Sequence, residues 1–439
     1  MITGHFVDAY EPVIDGVVRV TQSYREYMAR TLGPSWVITP SDPKGPAREA
    51  NVLRYASLPF VPPYRLGISL DPRVRAQIKR IRWDIAHAHS PFSAGELALV
   101  AARETGAPLV FTLHTRYAEL VRVKYRISPR WAGVMAADSL FQPAPKDRLR
   151  TLDLLRSTQH GEEYVVRAAK RKVWNYAAKC ACVIVSTPSA RDELLSFAEV
   201  VGATRAPRIE IVRCGVQALP AHDLDVHARH RLPRVPLLLY VGQLADEKGL
   251  PFLLEAVARL RTRTTAFRLL IVGTGNRRAH FERRTRELGI ADHCIFTGQI
   301  SDLGELGAYF RAAALFAFPS RFETQGLVVS EAASVGLCTV GLRGAPGLSD
   351  SIRDGVNGFL AEPNVEAYAA RLHALLAEPA LCRTVGERAR SFVRTTEAAA
   401  AEVVDLYRDL RGKPAACSSA PSSVVTRLQA AATALDASP

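Results

Sequence analysis

Along most of the chain, short apolar runs alternate with longer stretches whose apolar residues recur every three to four positions. The short runs, bounded by Gly, Pro, Asp or Ser, read as buried strands, and the longer stretches read as amphipathic helices. In the first half the pattern predicts strands near Gly4–Asp8, Trp36–Thr39, Ile85–Ala88, Leu109–Leu113, Val183–Ser186 and Ile209–Val212. In the second half it predicts Leu237–Gly242, Arg268–Val272, Ile295–Gly298, Leu315–Pro319, Thr339–Leu342 and Gly358–Ala361. Strands alternating with helices in this way predict α/β architecture, with two Rossmann-like, doubly wound parallel sheets and a ligand cleft between them. The expected division is 1–217, a linker over 218–236 rich in Pro, Ala, His and charge, a second domain over 237–395, a last helix over 396–411 crossing back to the first domain, and a disordered tail over 412–439.

Composition narrows the class. At 439 residues the chain exceeds one ordinary core, and 48% hydrophobic residues with a mean hydropathy of +0.01 fit a soluble globular protein. No run approaches the roughly 18 apolar residues of a membrane-spanning helix. Met1–Asp8 lacks the order of a secretory signal. The seven cysteines are scattered, and Cys180 and Cys182 stand too close for a Cys-x-x-Cys pair, so free thiols in the cytoplasm are expected. A net charge of +14 and a pI near 9.7 draw the chain to nucleotides, nucleic acid or an anionic membrane, although excess Arg and abundant Ala also follow from a biased source composition. No nucleic-acid-binding motif accompanies the charge, so that partner is not expected. The long connection Arg116–Lys172 interleaves basic residues (Arg122, Lys124, Arg126, Arg130, Arg148, Arg150) with Tyr117, Tyr125, Trp131 and Phe141. It reads equally as a solvated helix pair and as a face docking on anionic lipid, with Arg73, Arg75, Lys79, Arg80 and Arg82 nearby in sequence.

Chemistry concentrates at predicted strand ends. Ser320–Ala333 follows a buried strand and opens a helix near Gly326. Thr324, Gln325, Gly326 and Leu327 would turn backbone N–H groups toward a phosphate at that helix N-terminus. Glu323 on the loop and Glu331 two turns later place one carboxylate for sugar hydroxyls and one for ribose; on spacing alone they are equally a capping acid and an exposed helix acid. Gly242 and Gln243 end another strand, and Lys248 follows on a short loop, where an ammonium neutralises a diphosphate leaving group. Gly273 begins a third glycine turn, by itself more often just a tight turn. In the first half Asp15-Gly16-Val17 is placed to approach a phosphate or an acceptor, while His87, His89 and His114 fall at strand ends. A lone histidine is more often structural, and no His/Cys/Asp/Glu set has zinc spacing. Asp223-Leu224-Asp225 has the form of a metal motif but sits in the linker and reads as a solvated turn.

In this order and at these separations, the segments resemble the family-four retaining glycosyltransferases of the GT-B type, from about Phe6 to Leu410. Glu323 and Glu331, with seven residues between them, look like that family's paired acids. Gly242 and Lys248 resemble its phosphate loop, Asp354–Phe359 its Asp-Gly-x-Asn-Gly turn, and Asp15-Gly16-Val17 its N-terminal glycine loop. The resemblance implies transfer of a hexose from a UDP- or GDP-sugar to an acceptor hydroxyl. It assigns His114, Glu323 and Lys248 to catalysis, with Glu323 holding the sugar, Lys248 the diphosphate and His114 lying against the sugar. The implied donor-binding set is Gly16, Gly242, Gln243, Lys248, Gly273, Arg321, Glu323, Thr324, Gln325, Gly326, Leu327 and Glu331. Retention by front-face attack, with the leaving phosphate taking the acceptor's proton, then requires neither metal nor cofactor. Asp84–Phe92, His114–Tyr117 and Pro62–Leu66 are similar to the lipid-modifying branch, the diacylglycerol glucosyltransferases and phosphatidylinositol mannosyltransferases. A membrane lipid is therefore the expected acceptor, with a soluble acceptor as the alternative, and the expected position is cytoplasmic and peripheral on the membrane's inner face.

One departure matters. The family usually has arginine where this chain has Gln243, which hydrogen-bonds but carries no charge. The loss is worth on the order of 2–4 kcal/mol at the leaving group unless Arg321 replaces it. Without replacement the chain is a slow enzyme or a sugar-nucleotide-binding subunit. Gln325 also departs from the family's aromatic or hydrophobic residue.

Overall fold

The computed structural model describes residues 1–13, 15–46, 49–60, 64–127 and 158–412, the side chains of 124–127 and 158–161 excepted. The side chains of Lys124, Tyr125 and Arg126, and Arg130, Trp131, Phe141, Arg148, Arg150, Pro62, Pro63 and the tail beyond Gly412, all singled out by the sequence reading, lie outside what is described. The chain forms two compact units: Arg213–Ala399 is one, and Met1–Val212 together with the residues from Ala400 onward is the other.

In the first unit, strands β1 (Thr3–Phe6), β2 (Ser35–Pro40) and β3 (Val52–Tyr55) lie on one side of the sheet. A short antiparallel hairpin follows, β4 (Ser57–Pro59) with β5 (Arg65–Gly67). Strands β6 (Ile85–Ala88), β7 (Leu109–Leu113), β8 (Cys182–Val185) and β9 (Ile209–Ile211) complete a parallel sheet in the order β3-β2-β1-β6-β7-β8-β9. The chain reverses its direction of travel across the sheet between β1 and β6, and their carboxyl ends form the switch point where ligands of such sheets bind. The central strands β1, β6, β7 and β8 are buried along their whole length, whereas β3 is a half-exposed edge strand and escapes the apolar-run criterion.

The second unit has β10 (Leu237–Val241), β11 (Arg268–Val272), β12 (Cys294–Gly298), β13 (Leu315–Ala317), β14 (Thr339–Leu342) and β15 (Phe359–Ala361) in the parallel order β12-β11-β10-β13-β14-β15. Its switch point lies between β10 and β13. Residues 218–236 differ from the expected linker. Leu219 and Val226 are buried in the second unit's core, and Arg311 donates to the carbonyls of Leu219 and Pro220, so this segment is a strap tied to that unit. Asp225 caps the short helix Val226–Arg229 by accepting from Ala228 N at 3.0 Å. The last helix, Thr396–Gly412, starts in the second unit and belongs to the first from Ala400 on; its Tyr407 is buried against His87. Among the described residues, no helix is long and apolar enough to cross a membrane.

Candidate active site

In the second unit the loops after β10 and β13 meet backbone to backbone. Gly249 has φ +76° and passes so close to Pro319 that a Cβ would stand 2.2 Å from its carbonyl oxygen. This contact brings Lys248 and Glu323 together: Lys248 Nζ donates to Glu323 Oε1 at 2.7 Å. Ser320 Oγ, fully buried, donates to the same carboxylate oxygen at 2.8 Å. An acid and an ammonium, 75 residues apart in sequence, thus face one point at the switch of the sheet.

Immediately beyond, Gly326 takes φ +76° and the helix Leu327–Ser334 begins with no side-chain cap. Its first N–H groups therefore lack a capping side chain, and a helix start in this state favours an anion. Thr324 is half-buried on the loop, and Glu331 is half-buried in the helix itself.

The remaining expected donor residues are placed less directly. Gly242 N donates to Val272 O at 3.0 Å and Gly273 N to Gly298 O at 2.8 Å, so both amides extend the sheet. What the two glycines supply is close passage of backbone, since a Cβ on Gly273 would sit 1.9 Å from Gly242 O. Gln243 is exposed, and its carbonyl accepts from Tyr240 Oη at 3.0 Å; burial and the Glu323 carboxylate push the Tyr240 pKa well up, keeping that donor protonated. Arg321 lies with its guanidinium 5.7 Å from the Phe252 ring centroid and 3.4 Å from the Pro363 carbonyl. Gln325 is buried, and its side chain clamps the Cys214 backbone in both directions, Nε2 to Cys214 O and Oε1 from Cys214 N, each at 2.8 Å. Its amide side chain is thus a brace, and its main-chain carbonyl accepts from Ser351 Oγ at 2.9 Å. Asp354–Phe359 is a self-bonded turn: Asp354 accepts from Leu360 N, and Asn357 bridges Arg353 N and Ser351 O.

In the first unit Asp15 caps the helix Gly16–Thr31 by accepting from Val18 N at 2.8 Å, with Gly16 exposed at its start. Tyr64 Oη also donates to Asp15, and burial raises the Asp15 pKa. Asp8, past the end of β1, accepts from Ser93 Oγ at 2.5 Å and Ala94 N at 2.9 Å, and from Ser90, tying the loops of β1 and β6 together at their switch point. His114 follows β7, half-buried, with its Nε2 2.8 Å from His89 Nδ1. Its surroundings desolvate it, holding the pKa down to about 4.

One group among the described residues, His5, His87 and His89, has the donor atoms of a metal site close together. Of the six ring nitrogens five are already hydrogen-bonded, and His5 Nε2 has no hydrogen-bond partner among the described residues. His87 bonds Thr112 Oγ1 at 2.6 Å and Tyr407 Oη at 2.5 Å, and His5 bonds His89 at 3.0 Å, so the trio is a hydrogen-bonded cluster. Sequence reasoning missed His5, Ser320 and the Cys214 brace. His5 alone left a trace, as a histidine inside the first strand, in line with His87 once the strand order is known.

Two family models match the chain, "Glycosyl transferases group 1" over residues 226–392 and "Glycosyltransferase Family 4" over residues 14–218. A D-inositol 3-phosphate glycosyltransferase of Nocardiopsis dassonvillei is 32% identical over 356 residues, covering 76% of this chain and 72% of that protein. An alpha-monoglucosyldiacylglycerol synthase of Acholeplasma laidlawii is 23% identical over 435 residues, covering 94% and 98%. Among solved structures, Anabaena HepE in complex with UDP-glucose superposes with a TM-score of 0.68 at 17% identity, covering 93% of this chain and 99% of that one.

Proposed function

Because the chain belongs to the group 1 glycosyltransferases, with the two-sheet GT-B fold, we propose that it transfers a hexose with retention from a UDP- or GDP-sugar to a membrane-lipid hydroxyl. The observation that carries the reading is the Lys248–Glu323 contact at the switch point of the second sheet, beside the uncapped helix start at Leu327. Lys248 and the amides of Gly326 and Leu327 hold the diphosphate and balance the charge that grows on it as the glycosidic bond breaks. Glu323 takes the sugar hydroxyls and Glu331 the ribose. His114 is a further ligand contact in this reading. The leaving phosphate accepts the acceptor's proton, so the reaction calls for no metal. UDP is the favoured donor nucleotide on the likeness to HepE, whose structure holds UDP-glucose.

The lipid acceptor is supported by the surface of the first unit. Of six exposed large hydrophobic residues among those described, four fall together on and just after the β4–β5 hairpin: Leu58, Leu66, Ile68 and Leu70, the last 72% exposed. Leu58 and Leu66 are cross-strand partners. The helix Pro72–Arg80 follows at once, and Arg73, Lys79, Arg80 and Arg82 are exposed there. Apolar side chains beside cations suit an anionic bilayer. The name of the Acholeplasma relative, a diacylglycerol-modifying synthase, points the same way.

Gln243 favours one second reading, a binding subunit with little turnover. Arg321 rests on Phe252 and Pro363 and supplies no observed substitute charge. The deciding experiment measures nucleoside diphosphate release from UDP-, GDP- and ADP-sugars, with and without anionic vesicles carrying a lipid acceptor. Wild type is run beside Glu323→Ala and Gln243→Arg. Vesicle-dependent release from one donor, abolished in Glu323→Ala, is expected. Donor binding without release, rescued by Gln243→Arg, establishes the subunit reading, and release unaffected by Glu323→Ala refutes the site.

A further inference from the structure

The turn after β11 is laced onto the loop after β10, the loop that carries Lys248. Gly273 passes against the Gly242 carbonyl, and Leu244 N donates to Thr274 O at 3.0 Å. Gly275 comes so near that a Cβ would stand 2.5 Å from Leu244 O. A last tie runs through side chains: Arg277 Nη1 donates to Asp246 Oδ2, an ion pair whose members are 31% and 32% exposed. Asp246 opens the short turn Asp246–Lys248. Lys248 and Arg277 thus attach to one turn at the carboxyl end of β10, Lys248 by its own backbone and Arg277 by its bond to the turn's first residue.

The charges on this loop make Arg277 significant. The loop Gly242–Gly249 carries two acids, Asp246 and Glu247, against one cation, Lys248, whose ammonium is bonded to Glu323. A diphosphate bound there needs more positive charge than Lys248 alone supplies, and the need grows as the sugar departs. Neighbouring side chains are directed elsewhere. Arg278 engages Glu282 and the Phe296 carbonyl, and Arg321 engages the Phe252 ring and the Pro363 carbonyl. Gln243, exposed on the same loop, is neutral. Arg277 differs: among the described residues its polar and ring partners are Asp246 and Phe281, whose centroid lies 5.6 Å from the guanidinium carbon. A guanidinium holds its five N–H groups in a planar fork, so one bond to Asp246 leaves most of them for an anion. That bond also fixes the side chain in advance, which lowers the entropy cost of gripping a ligand.

We propose that Arg277 is a donor-binding residue, the second cation on the diphosphate, with Asp246 as the positioning residue that holds it there. This rests on the reading of the second unit's switch point as a sugar-nucleotide site. A diphosphate presents two phosphoryl groups in a row; Lys248 meets one and Arg277 the other, and the neutral Gln243 leaves the second place to Arg277. Asp246 Oδ1 is buried with no hydrogen-bond partner among the described residues, so the carboxylate depends on Arg277 as Arg277 depends on it. A pair that merely staples two turns would show the same contact. The two roles separate by charge and by phosphate.

In the full chain, binding of UDP, GDP and ADP is titrated calorimetrically, and the nucleoside matching whichever diphosphate binds is followed by ligand-observed NMR. Arg277→Gln keeps an N–H for Asp246 and removes the charge. It should weaken the diphosphate about 10–100-fold and leave the nucleoside within about twofold, because only the phosphates meet the guanidinium. Arg277→Lys keeps the charge but loses the fork, and should bind the diphosphate within about fivefold of wild type. Gln243→Arg returns a guanidinium to the loop by another route, so it should strengthen Arg277→Gln about tenfold and wild type by much less. Equal losses for diphosphate and nucleoside, or for Arg277→Lys and Arg277→Gln, reveal a staple and overturn the proposal. A diphosphate affinity in Arg277→Gln within about twofold of wild type overturns it too. If wild type binds none of the three diphosphates, the sugar-nucleotide site fails and the proposal with it, whereas binding indifferent to Arg277 refutes the proposal alone.

Discussion

Replacing Lys248 with methionine removes the ammonium and keeps most of the side-chain volume. In the folded protein Lys248 Nζ sits 2.7 Å from Glu323 Oε1, with the two side chains 28% and 11% exposed. After the change, Glu323 keeps the Ser320 hydroxyl as its partner among the described residues. Leaving a largely buried carboxylate half-satisfied costs about 1–3 kcal/mol, and the remaining solvent access places the effect toward the lower end. For a unit of this size, thermal unfolding should fall by about 2–4 °C per kcal/mol. Replacing both partners, Lys248→Met with Glu323→Gln, should cost less than the sum of the single changes, because a neutral amide needs no counter-charge. The kinetic effect is larger. If Lys248 balances charge that appears only as the glycosidic bond breaks, its loss lowers kcat by about 10²–10³, or roughly 2.7–4 kcal/mol, with little change in KM. Steady-state nucleotide release from the preferred donor measures this, and Lys248→Arg should recover part of it. A kcat within about threefold of wild type, or a change confined to KM, would refute the assignment of Lys248 to the leaving group.

Gln325→Ala leaves both the N–H and the carbonyl of Cys214 buried without their partner, which should destabilise by about 2–4 kcal/mol in denaturant titrations. Gln325→Glu should be no better, since a carboxylate cannot donate to Cys214 O; a neutral result for either would disprove the brace. Gly249→Ala meets both a left-handed backbone and the Pro319 carbonyl, so it should cost more than the roughly 1–2 kcal/mol of backbone strain alone and impair turnover with it, and wild-type turnover would show that the Lys248 loop is not held by this contact. The buried histidines predict acid sensitivity. His5, at about 3 when folded, has its pKa depressed, as have His87 and His89. The unfolded chain therefore binds protons that the native state refuses once pH drops below about 6.5, and stability falls from there downward by at most about 1.4 kcal/mol per pH unit for each group. Chemical denaturation at pH 7, 6 and 5 measures the slope, and a flat profile would show that these rings accept protons in place.

Apolar runs fixed most of both sheets. Strands buried on both faces read as largely hydrophobic stretches, and Ile85–Ala88, Leu109–Leu113, Arg268–Val272 and Thr339–Leu342 appear with the expected limits. Edge strand β3 and the β4–β5 hairpin were illegible, because they expose much of their apolar surface and the pattern reports burial. The strap over 218–236 looked like a linker for a related reason: it anchors through scattered apolar residues, Leu219 and Val226 buried with Leu224 and Leu232 packed beside them, in a polar stretch. Glu323, Lys248 and the helix start after Gly326 were legible as motifs, since a charge on a loop after a strand and a glycine before a helix are local features. That the first two touch depends on β10 and β13 being neighbours, a pairing no local pattern encodes. The same holds for Gln325, whose partner Cys214 stands 111 residues away, and for His5, which joins His89 and His114 only through the order of β1, β6 and β7. By itself the sequence determined which segments are strands and which loops carry reactive groups, because backbone propensity and burial act over a few residues. Only the tertiary structure decided which groups meet and which are braces, because those depend on contacts between strands that are distant along the chain.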